Sequence, residues 1–592
     1  MVLHQSWLQR LKSKKDEPSS VTVTNQTASA ALTPDDSTFS AVRDGEQPNE
    51  MASKSDEKTC ASTTCLSEKG NNTVKTTDEL QYLQPQALVV VMIALLLACL
   101  LMALDMSIVS TAIPRITDEF DTLADIGWYG SAYLLTCAAL QPLTGKFYTY
   151  FLLKHAFFSF LGLFELGSVI AGAATSSKML VIGRAVSGLG GAGLMNGCLT
   201  IVGVATSEKQ RPMLMGIIMA FFGTGQLIGP LIGGALTEHA SWRWCFYLNL
   251  PVGAATCLCL AFIHLPGQKR QPMQRNAHFI IRKFDLLGFC LFAPACIMVL
   301  LAMEWGGVHY TWSSATIIGL LCGSGGAFAV FGYWEYRASE DAMIPVDMIS
   351  RRVIWTAVLT SAFQGGGIIM LGYYLPLFFQ VVQHASPTAS AVRILPTMIG
   401  QVVFAAISGA IVAKIGYLMP SALLGSAFAT IGSGLLTTLS TTTPSAQWIG
   451  YQVLLGAGRG LAIQIPILVV QSSLTTALLP VGTAVVSWSQ FFGGTIFLGL
   501  GQAALQNLLR TALHKYAPAV DPQSILNAGA TGYRSVTPQV EWIHVEEAYA
   551  WAIARTFALG TGATGVAFLT SLGMGWTVST KTKRKVEENG KG

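Results

Sequence analysis

The stretch Leu96–Ile116, "LLACLLMALDMSIVSTAIPRI", is apolar almost throughout and carries one carboxylate in its interior, Asp105. With the apolar residues before it, it is long enough to cross the roughly 30 Å hydrocarbon core of a bilayer as a helix. An ionisable side chain at that depth costs a few kcal/mol or more, so it is a functional candidate by default. The reading of this stretch decides the class of the chain and raises the question of what the acid does.

The rest of the sequence repeats the pattern. Of 592 residues, 51% are hydrophobic and 12% charged, and the mean hydropathy is +0.49. A soluble chain carries about 25% charged residues. Apolar runs fall at about 86–113, 124–146, 154–174, 178–205, 211–238, 242–265, 284–304, 314–336, 352–381, 391–414, 417–440, 447–473, 480–511 and 549–577, which predicts fourteen membrane helices. With the N-terminus inside, the inner loops hold Lys146, Lys154, Lys209, Arg211, Lys269, Arg270, Arg275, Arg282, Lys283, Arg337, Arg351, Arg352 and Lys414. The short outer loops hold Arg115, Lys178, Arg243 and Arg393. That asymmetry fits the positive-inside rule, and the C-terminal "KTKRK" (581–585) also falls inside. The aromatic-rich "WRWCFYLNL" (242–250) fits an interface belt at the start of span six.

These runs predict an all-α polytopic membrane protein with two six-helix bundles, 86–265 and 352–577, separated by a linker and two extra helices (266–351). A long outer loop is expected at about 512–548. Residues 1–84 are polar and rich in Ser, Thr and charge, so they read as a disordered inner tail with no secretory signal before the first span. The basic piece "HQSWLQRLKSKK" (4–15) is compatible with a membrane-surface contact, though plain disorder explains it as well. Residues 578–592 form a basic inner tail.

The net charge of +5 leaves no dense basic face for nucleic acid. Nine of the eleven cysteines lie in or near apolar runs and read as small buried hydrophobes; Cys60 and Cys65 have no companion ligands, so no metal site is expected.

Five ionisable residues fall within spans: Asp105, Glu165, Arg184, Arg459 and Arg555. From helical rise, Asp105, Arg184 and Glu165 lie roughly 12, 9 and 14 Å inside the outer ends of their spans. A carboxyl in a low-dielectric core can be neutralised by a proton, and a guanidinium that approaches or leaves can load or release it. The alternative is a static pair that fixes packing. Arg459, flanked by Gly458 and Gly460 in "LLGAGRGLAIQIP" (454–466), is placed either to line a central cavity or to pair with backbone carbonyls. Arg555 lies near an interface and can snorkel. Gln226, Gln464, Gln471 and Gln490 add hydrogen-bonding capacity, toward a ligand or between helices. In "GTGQLIGPLIGG" (223–234), Gly225, Gly229 and Gly233 share one helix face, and Pro230 and Gly234 loosen the backbone. That face reads as tight packing or as a seam that opens between bundles.

Taken together, "LDMSIVSTAIP" (104–114), "GKFYTYFLLKH" (145–155), "LVIGRAVSGLGGAG" (180–193), "GTGQLIGPLIGG" and "WRWCFYLNLPVG" (242–253) resemble motifs of the major facilitator superfamily, specifically its fourteen-helix drug:proton antiporter branch. The resemblance covers about 86–577. It implies the major facilitator fold, with Asp105 in the first-helix motif, Arg184 in the fourth-helix motif, and Gly145, Lys146 and Lys154 in the cytoplasmic loop motif. An Asp is usual where Thr149 stands, which puts the charge lock of that loop in question. The forms "GKFYTYF" and "GRGLAIQIPILVVQ" (458–471) look like fungal efflux pumps for toxins and other secondary metabolites.

The resemblance implies a proton-coupled exporter of a small amphipathic organic compound. Such a protein is multi-pass in the plasma membrane and monomeric, with both termini cytoplasmic. It is driven by the proton gradient without a cofactor and is not an enzyme. Asp105 would carry the proton, tuned by Arg184 with Glu165 as partner. Gln226, Arg459 and Gln464 would touch substrate. The rivals are an importer of the same fold, for a siderophore, sugar or amino acid, and a receptor that binds without transport.

Overall fold

The structure is a computed structural model that describes residues 83–120, 126–263, 265, 283–307 and 310–576. Residues 1–82 of the tail expected at 1–84, the tail expected at 578–592, and most of the charged linker at 266–283 lie outside the described residues. The described residues are helical, with no strand among them. Thirteen segments are long and apolar enough to cross a membrane.

The first set is α1 (Pro85–Phe120), α2 (Ile126–Tyr150), α3 (Leu153–Gly172), α4 (Ser177–Ala205), α5 (Arg211–His239) and, after a single turn at Trp244–Tyr247, α6 (Asn249–Ala261). Of these, α2 has 25 residues, long enough to span at about 1.5 Å per residue, but it is less apolar than the other thirteen. An extra pair follows, α7 (Leu286–Trp305) and α8 (Ala315–Ala338). The second set is α9 (Arg352–Val381), α10 (Pro387–Ile415), α11 (Met419–Leu436), α12 (Ser445–Ala462) continued by α13 (Ile465–Ser473), α14 (Leu479–Tyr516), α15 (Pro522–Val536) and α16 (Trp542–Gly573).

Both sets follow one packing plan. In the first, α1 packs on α5 and α6, and α4 on α2 and α3; in the second, α9 packs on α14 and α16, and α12 on α10 and α11. Glycine permits the closest of these approaches. Gly225, Gly229 and Gly233 bring α5 onto α1, and Gly493 and Gly365 do the same between α14 and α9. Between the sets, α5 meets α10 and α2 meets α14. The extra helix α7 lies against α2 and α14, where Phe292 packs on Trp488 at 5.3 Å and Trp488 stacks on Phe492 at 4.8 Å.

The near face is the one at which the chain enters at Pro85, and the far face is the one at which α1 ends. The expected long outer loop is largely helical: α14 runs on to Tyr516, and α15 and the first turns of α16 fill most of 522–548. Asp521 caps α15 by accepting from the backbone N–H groups of Gln523 and Ser524. Ile525 and Tyr533 are buried beneath it. A 15-residue helix that buries only one stripe has no long apolar run, so its sequence does not read as a span. Tyr533 donates to Glu546 Oε1 (2.7 Å), Arg534 donates to the same oxygen (3.1 Å), and His384 approaches Oε2 (3.2 Å). These contacts tie α15 and the α9–α10 turn to α16.

Candidate functional site

Asp105 on α1 and Arg184 on α4 meet in the core of the first set. The Arg184 Nη1 lies 2.6 Å from Asp105 Oδ2, with side chains 1% and 0% exposed. The guanidinium is fixed on its other edge, where Nε donates to the Tyr129 carbonyl on α2 (2.9 Å). The rings of Tyr133 and Phe246 flank it, their centroids 4.8 and 5.9 Å from its carbon. Asp105 Oδ1 accepts from Asn249 Nδ2 (3.2 Å), and Asn249 also donates to Ser168 on α3 (3.0 Å). Helices α1, α4 and α6 thus meet at one carboxylate, with α3 joined through Asn249 and α2 through Arg184. Both charges of the pair are desolvated, so removing either partner strands the other.

Glu165 lies beside this network and outside its bonds. It sits one turn along α3 from Ser168, about 4.5 Å nearer the near face. Both of its carboxyl oxygens are buried and neither has a hydrogen-bond partner. Gly253 on α6 leaves room for it: a Cβ there would meet the carboxyl group. Of the three groups expected at one depth, two are therefore bonded and the third is unpartnered next to them. Asn249, Ser168, Tyr129 and Tyr133 are absent from the sequence reading. Asn249 was discoverable as the lone carboxamide in "WRWCFYLNLPVG"; the Tyr129 contact is made by a backbone carbonyl, which leaves no trace in residue type.

The expected substrate residues are not gathered around one space. Arg459 on α12 is 7% exposed and donates from Nη2 to the Gly367 carbonyl on α9 (2.9 Å). It lines a cavity of about 10 Å³ inside the second set with Gln364, Ser426, Thr564 and apolar neighbours. Gln464 points elsewhere. Its Nε2 donates to the Ala405 carbonyl on α10 (3.3 Å), and its Oε1 faces Gly216 of α5. Five residues along a helix turn the direction by about 140°, so Arg459 and Gln464 meet different neighbours. Gln226 is half-buried on α5.

The glycine face also differs from the seam expected between bundles. Gly225, Gly229 and Gly233 lie on Ala103, Ser107 and Ile108 of α1, inside the first set, and Gly234 has open space beside it. Pro230 is a proline within α5. The approach between sets uses Gly216, packed on Ala405, and Gly409 of α10, packed on Pro212 and Met213. Gly216 and Gly225 are nine residues apart, which is half a turn of direction. One face of α5 therefore binds its own set and the opposite face the other.

At the near face, Gly145 of α2 comes so close to α14 that a Cβ would lie 2.6 Å from the Val481 Cα. Thr149 donates to the Gly145 carbonyl (2.9 Å) and reaches the Ala477 carbonyl at 3.5 Å. Gln471 donates across to the Leu199 carbonyl on α4 (3.1 Å). The basic residues of this motif turn away from the second set. Lys146, 4% exposed, donates to the Asp341 carbonyl beyond α8 (3.2 Å), with Asp285, Glu335 and Asp341 around it. Lys154 donates to the carbonyls of Ala261 and Ile263 at the end of α6 (2.6 and 3.2 Å). Near-face closure is thus made by close backbone approach and neutral hydrogen bonds, and Lys146 fastens the extra pair.

The family model described as Major Facilitator Superfamily matches residues 95–498. The MFS-type transporter pigP of Monascus ruber is 47% identical over 83% of this chain and 86% of its own length. The efflux pump mlcE of Penicillium citrinum is 44% identical over 86% of this chain and 94% of its own. The efflux pump mokI of Monascus pilosus is 46% identical over 81% and 90%. Among solved structures, the proton:xylose symporter XylE aligns with a TM-score of 0.52 at 15% identity, over 80% of this chain and 94% of that one; this likeness concerns the fold.

Proposed function

The chain belongs to the major facilitator superfamily, and from that premise we propose that it exports a small amphipathic organic compound in exchange for protons. It is a multi-pass membrane transporter. Relatives at 44% and 46% identity bear the name efflux pump, which supports the outward direction; a toxin or other secondary metabolite as cargo follows from the motif resemblance. The basic residues of the inner loops support a cytoplasmic near face, with both termini there and α2 as the fourteenth span. We place it in the plasma membrane as a monomer, driven by the proton gradient with no cofactor.

The observation that carries proton coupling is the unpartnered carboxyl of Glu165 beside the bonded Asp105–Arg184 pair. Asp105 is held by a guanidinium and an amide, so changing its proton means dismantling a buried network. Glu165 can change its proton without breaking a bond. Ionising it puts a second negative charge into a site that holds one cation, and Arg184 must then divide between two carboxylates. Because Arg184 is on α4 and the acids on α1 and α3, that division shifts these helices against one another. Gating at the near face follows as α2 and α4 carry Gly145 and Leu199 away from α14 and Gln471.

Everted plasma-membrane vesicles from a yeast lacking its own drug pumps test the proposal, with dansylaminoundecanoic acid as the amphipathic probe. An imposed acidic interior is expected to drive uptake of the probe, and a protonophore to abolish it. Uptake that ignores the protonophore, or probe accumulation by intact cells expressing the chain, would overturn it; the second result favours import.

A further inference from the structure

The two sets share a packing plan, and each carries an arginine on its fourth helix that reaches the first helix of its own set. In the first set, Arg184 finds Asp105. In the second, Arg459 finds the Gly367 carbonyl, and beside it a carboxamide, Gln364. Among the described residues Arg459 forms no ion pair, and no carboxylate lines its cavity. A buried cation without a counter-ion is expensive. Here that cost is accompanied by three polar atoms without partners around the same space: Arg459 Nε, Gln364 Oε1 and Ser426 Oγ. The Gln364 amide is tied only by a 3.5 Å contact from Nε2 to the Ala462 carbonyl, so it can turn its N–H group to an anion.

We propose that this cavity receives the carboxylate of the transported compound. One carboxylate oxygen enters and accepts from Arg459 Nε and the Ser426 hydroxyl, with the Gln364 amide turned to donate to it as well. The space of about 10 Å³ holds a group the size of one water, which admits the tip of a carboxylate while the body of the compound remains outside. The missing acid of the second set is thereby supplied by the cargo. The first set couples to the proton and the second reads the anionic head. The inference names the substrate class of the export reading above and rests on it.

The test uses dansylaminoundecanoic acid and its N-methylamide, titrated by dansyl fluorescence against the purified full-length protein. The acid is expected to bind at least about tenfold more tightly than the amide. Arg459→Gln should bring the acid down to the affinity of the amide, and Arg459→Lys should restore part of the difference. Gln364→Glu, which gives Arg459 an internal partner as Asp105 does for Arg184, should also erase the preference while the protein melts no lower than wild type. Equal affinities in wild type, or a preference unchanged in both Arg459→Gln and Gln364→Glu, would overturn the inference. Acid binding displaced by physiological chloride would make an inorganic anion the occupant and overturn it as well. If neither probe moves in the vesicle assay but the preference and its loss persist, the export reading fails and the carboxylate site stands.

Discussion

Replacing Asp105 by its amide takes from Arg184 the carboxylate to which it is bonded. Breaking a buried pair in this way costs about 3–5 kcal/mol, so Asp105→Asn should lower the melting temperature of the purified protein and abolish gradient-driven transport together. Glu165→Gln separates the two effects. The side chain has no bond to lose, so the fold should melt as wild type does. Transport should nevertheless stop responding to an imposed pH gradient while substrate exchange across a vesicle without a gradient persists. A Glu165→Gln protein whose export is still gradient-driven at wild-type rate would remove Glu165 from the mechanism. Residue types and spacing made Asp105, Glu165 and Arg184 visible as expensive groups in spans. They could not say which two would bond, because that depends on how α1, α3 and α4 rotate against each other.

At the scale of elements, the far end of α1 is clamped to the turn before α6. Arg243 grips Glu119 with both terminal nitrogens (2.7 and 3.1 Å), and the Trp242 indole donates to the same carboxylate (2.7 Å). The Arg243 hydrogen bond, followed by that of Trp242, holds the Glu119 carboxyl below the ordinary range. A lowered value means that the ionised form is favoured in the folded protein. The clamp is therefore fully present above about pH 4.3 and is lost as pH falls through the lowered value. Comparing the melting temperatures of wild type and Glu119→Gln across pH should show a modest gap near neutrality that closes in acid. A gap of constant size would assign the effect to packing. The extra pair α7–α8 was legible as two apolar runs, but its fastening by Lys146 was not. That lysine sits in a motif whose resemblance points to the seam between bundles, whereas the acids around it come from segments 139 to 195 residues later.

At the scale of the whole molecule, the two sets meet at the near face through a contact that admits no side chain at Gly145. Gly145→Val should keep α2 off α14 and favour a conformation open at that face. Hydrogen–deuterium exchange should then quicken in the near-face turns of α2, α4 and α14 and remain unchanged in α15 at the far face. Uniform quickening throughout would indicate general destabilisation and not a shift of gating.

The alternation of apolar runs and basic loops determined the class, the helices and their order, because the cost of exposing a polar backbone to lipid leaves the chain little choice. Composition also singled out the ionisable side chains that pay for burial. Only the tertiary structure decided how they are used. Asp105 and Arg184 are 79 residues apart, the glycine stripe of α5 faces α1 instead of the second set, and Arg459 is left without the acid that its counterpart has. Each outcome rests on the rotation of one packed helix about its axis. Apolar surroundings on every side leave that rotation weakly encoded along the sequence, and close packing of neighbouring helices fixes it.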